Sequence, residues 1–227
     1  MLSSFGVEFE AINVEGNPGA LAELHRLGAP LVPAVAVGDR IVHGWNPKGV
    51  AELVGIEYAE RERLSPEELV RRLDTILDAA QRAIRQVPEA RLEMKSPDRD
   101  RTVRNLGYHI FRLSLAFRDG TAERRFPEEW LQEGAPPAVC DGAAISRYGQ
   151  SVRERLAEWF GRRGALEGVV ETYYGPQTAH ELLERTTWHA AQHVRQLYAL
   201  LEMMGIAPDR PLTEKDFAGL PLPKALW

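Results

Sequence analysis

The chain has 227 residues, a formal net charge of -5, and 44% hydrophobic and 27% charged side chains. That length can bury a sizeable core in one large domain or two small ones, and the acidic balance excludes the basic field that attracts nucleic acid. The opening MLSSFGVEFEAINVEG lacks a positive leader, no stretch is apolar enough to span a bilayer, and a single cysteine, Cys140, excludes an intrachain disulfide; a soluble, cytoplasmic protein with no membrane partner is expected.

Residues 1–57 mix two periodicities. VEFEAINV, Val7 to Val14, alternates apolar and acidic positions and predicts a strand. NPGALAELHRLG follows, with Pro18 at a helix start and Gly28 just past its end. PAVAV and RIVHG are joined by Gly38-Asp39, a hairpin signal, and NPKGVAELVG is a second short helix with the same Asn-Pro start and Gly stop. The predicted order is β-α-β-β-α, a small α/β unit. The polar run YAERER places a linker at residues 58–64.

From Ser65 onward only helical periodicity remains. SPEELVRRLDTILDAAQRAIRQV starts at a Ser-Pro cap and sets Leu69, Leu73, Ile76, Ala80 and Ile84 on one stripe. Further helices are predicted over 101–117, 143–163 and 178–204, which with the first makes a four-helix up-down bundle over residues 65–227. The fold class is therefore α+β overall. Residues 119–141 and 205–227 carry Pro and Gly and are predicted to be irregular, with Leu222 and Trp227 of the tail packing back on the bundle.

Three histidines sit on inward seams. In TTWHAAQHVRQLYALLEMMG, His189 and His193 are four apart and share a face with Thr186, Leu182, Leu197 and Leu200. In LGYHIFRLSLAF, His109 lies three after Leu106 and four before Leu113. His25, His43 and His180 do not share this placement. A buried neutral imidazole must satisfy one donor and one acceptor, and a divalent ion does so for several rings at once. The residues alone leave two readings open, a three-nitrogen metal site with a vacant coordination position, or three ordinary core histidines. Tyr108, Trp188, Gln192 and Arg195 flank the candidates and read as packing or surface residues, Arg195 as half of an exposed salt bridge. No catalytic residue is assigned.

LGYHIF, WHAAQHVRQL and the ending LPLPKALW resemble the DinB/YfiT-like superfamily of four-helix metalloproteins over residues 65–227. The resemblance implies a divalent metal, zinc or nickel, on His109, His189 and His193. It also implies an enzyme that uses a low-molecular-weight thiol, a thiol-dependent S-transferase acting on a small electrophile, with metal-dependent hydrolysis as the alternative in the same site. A metal-bound thiol or water is acidified and becomes a nucleophile near neutral pH. A non-catalytic protein with a vestigial site is the reading from a different class.

GVEFEAINVEGNPGALAELHRLGAPLVPAVAVGDRIVHGW resembles the later part of a glutaredoxin, from its second strand onward, in a thioredoxin-like fold. The resemblance implies a cis peptide at Val32-Pro33 and a backbone contact there, at Val32 and Pro33, for a thiol cofactor presented to the metal. The first strand and Cys-x-x-Cys of that family do not precede LSSFGVEF, so the unit is truncated by comparison, and a redox protein with those cysteines upstream is a third alternative. An unpaired strand edge invites pairing, so a homodimer is expected. Cys140, in PPAVCDG, reads as an incidental loop thiol.

Overall fold

A computed structural model describes residues 2, 6–14, 16–29, 32–44, 46–57, 63–97, 101–223 and 226. The chain divides into two compact units, Met1–Glu62 and Arg63–Trp227. Most of the predicted linker, residues 58–62, and Trp227 of the tail lie outside the described residues.

In the first unit, helix α1 (Pro18–Arg26) starts at Asn17, whose side-chain oxygen accepts from the Ala20 amide at 3.1 Å. Strands β1 (Ala34–Val37) and β2 (Arg40–His43) pair antiparallel, and the Val37–Arg40 register leaves Gly38 and Asp39 as the two-residue turn. Gly38 has φ +60, which such a turn requires. Helix α2 (Pro47–Val54) repeats the Asn-Pro start, with Asn46 accepting from the Gly49 amide at 2.8 Å. Leu24, Ala29, Val50, Ala51 and Leu53 are buried. The Val32-Pro33 peptide is cis, as the glutaredoxin resemblance implies.

Val7 to Val14 is not a strand. It joins neither sheet, and Phe9 and Ile12 are exposed. A groove of about 630 Å³ lies between this run and β1. Pairing needs a neighbour about 4.8 Å away, so the alternation stands without a ladder to complete it. The described elements of this unit therefore run α-β-β-α.

The second unit is built on four long helices. Helix α3 (Pro66–Gln86) begins at Ser65, whose hydroxyl accepts from the Glu68 amide at 3.2 Å, and its predicted stripe, Leu69, Leu73, Ile76, Ala80 and Ile84, is buried. Helix α4 (Val103–Glu123) is capped by Thr102 and runs past the expected end near 117, to Arg124 at φ 58. Every residue from Leu106 to Phe117 is buried, His109, Arg112 and Ser114 included, so α4 is enclosed on all sides as a central helix. A short helix α5 (Glu129–Gln132) follows, then α6 (Gly142–Phe160), capped by Asp141. Helix α7 (Ala179–Met203) opens with a capping box, Thr178 with Glu181. A last turn, α8 (Glu214–Phe217), precedes the tail.

The packing order differs from a simple run of adjacent neighbours. Helices α3 and α4 each pack chiefly on α6 and α7, while the consecutive pair α3 and α4 touch sparsely. Short loops make consecutive helices neighbours; here the stretches 87–102 and 161–178 are long enough to carry the chain across the bundle.

A small sheet corrects the all-helical expectation for this unit. Strand β3 (Arg125–Phe126) pairs parallel with β4 (Val169–Thr172), which pairs antiparallel with β5 (Gly175–Thr178). These strands have two to four residues, too few for a period-2 pattern to show in the sequence. Leu222 packs against the core cluster as expected. Among the described residues no helix is long and apolar enough to cross a membrane.

Candidate metal centre

The candidate ligands arise from two helices that pack side by side, α4 and α7. On α4, Gly107 faces the Ile84 side chain of α3, where a Cβ would sit 2.6 Å from Ile84 Cδ1. His109 follows two residues later and is 4% exposed. On α7, the four-residue spacing puts His189 and His193 one turn apart on the side facing α4; His193 is buried and His189 half-buried. Ring centroids lie 5.0 Å apart for His109 and His193, 5.7 Å for His109 and His189, and 4.7 Å for His189 and His193. One ligand nitrogen from each ring lies within 4.8 Å of the other two.

Burial favours a neutral ring at His189. Burial pushes the His189 imidazole well below its ordinary range, and the positive charges of His193, Arg185, His109 and Arg101 add to this. His189 keeps some residue surface, yet its ring lies deep enough for desolvation to dominate. A neutral ring offers a lone pair, which is the form a metal binds.

His193 has a built support. Its Nδ1 lies 2.7 Å from Gln196 Oε1, and Gln196 Nε2 donates to the Leu226 carbonyl at 2.6 Å. Gln192 Nε2 donates to the same carbonyl at 2.8 Å. With Nδ1 facing an amide oxygen, Nε2 is the ring nitrogen that carries the lone pair. Three imidazoles, one of them already oriented by an amide, suit a borderline divalent cation.

At the other end of the stripe, Arg185 precedes His189 by one turn, stacks its guanidinium over the Tyr174 ring with 4.3 Å to the centroid, and donates to the Tyr173 hydroxyl at 3.1 Å. Burial pushes the Tyr174 hydroxyl up to about 12, so it stays protonated at neutral pH. The Trp188 and His189 rings are 5.7 Å apart.

The remaining predicted residues fall as follows. Val32 and Pro33 lie in the first unit, and Val32 is exposed. Tyr108 packs, stacking on Tyr148 with centroids 4.8 Å apart. Arg195 makes no salt bridge among the described residues; it donates to Gln192 Oε1 at 2.7 Å and to the Pro223 carbonyl at 2.9 Å. The tail supplies carbonyls that a sequence reading of charges does not see. Cys140 is an exposed loop thiol. Gln196 is the residue that the sequence reading missed, though its place three after His193 on one helix was available as a signal.

The family model for glutaredoxin matches residues 1–42. Among solved structures, the chain is similar to YfiT from Bacillus subtilis, described as a probable metal-dependent hydrolase with an unusual four-helix bundle topology. Identity is 18%, the match covers 67% of this chain and 96% of that one, and the TM-score is 0.51. The two share a fold. No curated protein sequence matches the chain.

Proposed function

We propose that the second unit is a metal-dependent enzyme whose divalent ion, zinc or nickel, is held by His109, His189 and His193, and that it transfers a low-molecular-weight thiol to a small electrophile. The observation that carries this reading is the convergence of three ligand nitrogens from α4 and α7 within 4.8 Å of one another. Three protein ligands suit a catalytic rather than a structural ion, because a fourth position is left for a reactant. A divalent ion there supplies Lewis acidity that lowers the pKa of a thiol or water at that position.

The chain's own residues would do the rest. Gln196 orients His193, buried Leu182, Leu197 and Leu200 line the α7 seam behind the rings, and Arg185 adds a positive charge one turn before His189. The glutaredoxin match over residues 1–42 supports a thiol as the nucleophile, with the backbone at Val32 and Pro33 as its proposed contact. A second reading, hydrolysis with water as nucleophile, is favoured by the description of the similar YfiT structure.

The test is a metal-replete screen of thiols against epoxides, halides and activated alkenes, run beside an ester and amide panel without thiol, with His189→Ala as control. Thiol-dependent turnover that is lost in the variant supports S-transfer; thiol-independent turnover supports hydrolysis. A purified protein that binds no divalent ion, and behaves identically after His109→Ala, would point to a vestigial site and overturn both.

A further inference from the structure

Resting on that metal reading, we infer that the C-terminal tail belongs to the metal centre: the Leu226 carbonyl, acting through Gln196, holds His193 in the tautomer that presents Nε2 as its ligand atom.

The direction of each hydrogen bond follows from what the groups can do. A backbone carbonyl only accepts, so the Gln196 atom 2.6 Å from Leu226 O must be the amide nitrogen. The other end of that amide is then an oxygen, and it lies 2.7 Å from His193 Nδ1. An amide oxygen only accepts, so Nδ1 carries the hydrogen. A neutral imidazole carries one, which leaves the lone pair on the buried Nε2. Without the tail carbonyl the Gln196 amide has no reason to keep its oxygen toward the ring, since its nitrogen could face Nδ1 instead and stabilise the opposite tautomer.

The tail is placed for this by three α7 side chains within little more than one turn, Gln192, Arg195 and Gln196. Gln192 Nε2 donates to Leu226 O at 2.8 Å, and Arg195 Nη1 donates to Pro223 O at 2.9 Å and to Gln192 Oε1 at 2.7 Å. Both lone pairs of the Leu226 carbonyl are thereby used, one by each glutamine. Gln192 and Gln196 are each 9% exposed, so their amides work out of bulk water, where an oriented hydrogen bond holds its geometry. Gln196 is a positioning residue, and the tail positions Gln196.

Outer partners of metal-ligating histidines set ring orientation and basicity, and losing one weakens metal binding about 10–100-fold. The experiment has two readouts on the full chain, on Gln196→Leu, on Gln196→Glu, and on each of these with residues 224–227 deleted. Nitrogen-15 spectra of histidine-labelled, metal-free protein report the His193 tautomer directly. Cobalt and zinc titrations report affinity.

The full chain is expected to show His193 as the Nδ1–H form. Deleting residues 224–227, or Gln196→Leu, should move it toward the Nε2–H form and weaken metal binding by about 10–100-fold. Gln196→Glu keeps an acceptor at Nδ1 and needs no carbonyl to orient it, so the deletion should have no further effect in that background, which separates positioning from general unfolding. An Nε2–H form in the full chain, or a deletion that leaves both tautomer and affinity unchanged, would overturn the inference. A full chain that binds no metal yet shows the predicted tautomer response would overturn the metal reading alone.

Discussion

The imidazoles of His109 and His193 meet edge to face, with centroids 5.0 Å apart and planes at 73°. One comes from α4 and the other from α7, and the His189 ring closes the triangle from one turn away on α7. That relationship organises the chemistry proposed for the second unit.

Removing one ring should therefore break the set rather than trim it. His109→Ala leaves a pair on a single helix, and metal affinity is expected to fall by more than about 100-fold, beyond the usual cost of losing an outer partner. Competition with a coloured chelator, at one ion per chain in the unaltered protein, checks this. His25→Ala, in the first unit, should leave affinity unchanged.

Glu68 makes the start of α3 sensitive to acid. Hydrogen bonds from Arg71 and then Arg72 pull its carboxyl from the ordinary 4.5 down to about 2. A carboxylate with a depressed folded pKa contributes fully above its unfolded pKa, and the contribution is lost as pH falls through the folded value. Melting temperature measured from pH 5 to pH 2 should decline less steeply in Glu68→Gln than in the unaltered protein, the two curves converging at the acid end. Parallel curves throughout would show that the pair contributes nothing.

Gly142 marks where α6 begins against the end of α3. A Cβ there would collide with the Ile84 carbonyl oxygen, and a backbone atom cannot swing aside as a side chain can. Gly142→Ala should destabilise the bundle by about 1–3 kcal/mol, the range for overpacking. The urea midpoint is the measurement, and an unchanged midpoint would mean that the two helix ends separate readily.

The Arg112 guanidinium is 7% exposed and is gripped by both oxygens of Glu133, at 2.6 and 2.8 Å, with the Trp130 ring centroid 5.9 Å away. Glu133→Ala leaves that buried charge without its carboxylate and should cost about 1–2 kcal/mol, at the low end for charge-assisted bonds because Glu133 itself is half exposed. Replacing both, as Arg112→Leu with Glu133→Leu, should cost less than the single change. A double-mutant cycle by denaturant unfolding checks the sign.

Much of the secondary structure was legible because its signals are local. Asn17, Asn46, Ser65 and Thr178 each accept from an amide three residues on, and those four positions start α1, α2, α3 and α7. Gly38-Asp39 turns the hairpin where it was expected. Val7 to Val14 misled because alternation needs a partner strand to become a ladder, and partners come from elsewhere in the chain. The strands at 169–172 and 175–178 were missed for the converse reason, four residues being enough to pair but not enough to display a period.

The candidate centre divides along the same line. The spacing of His189 and His193 was sufficient by itself to put both rings on one face of a helix, because 3.6 residues make a turn wherever that helix lies. The inward seam of His109 was also readable, from Leu106 and Leu113 around it. Tertiary packing decided that α4 lies beside α7, although the chain between them passes through α5, α6 and three strands. It also brought the Leu226 carbonyl to Gln196, and so oriented His193. Spacing along one helix fixes directions in space, whereas a meeting between distant segments depends on the whole core that packs them.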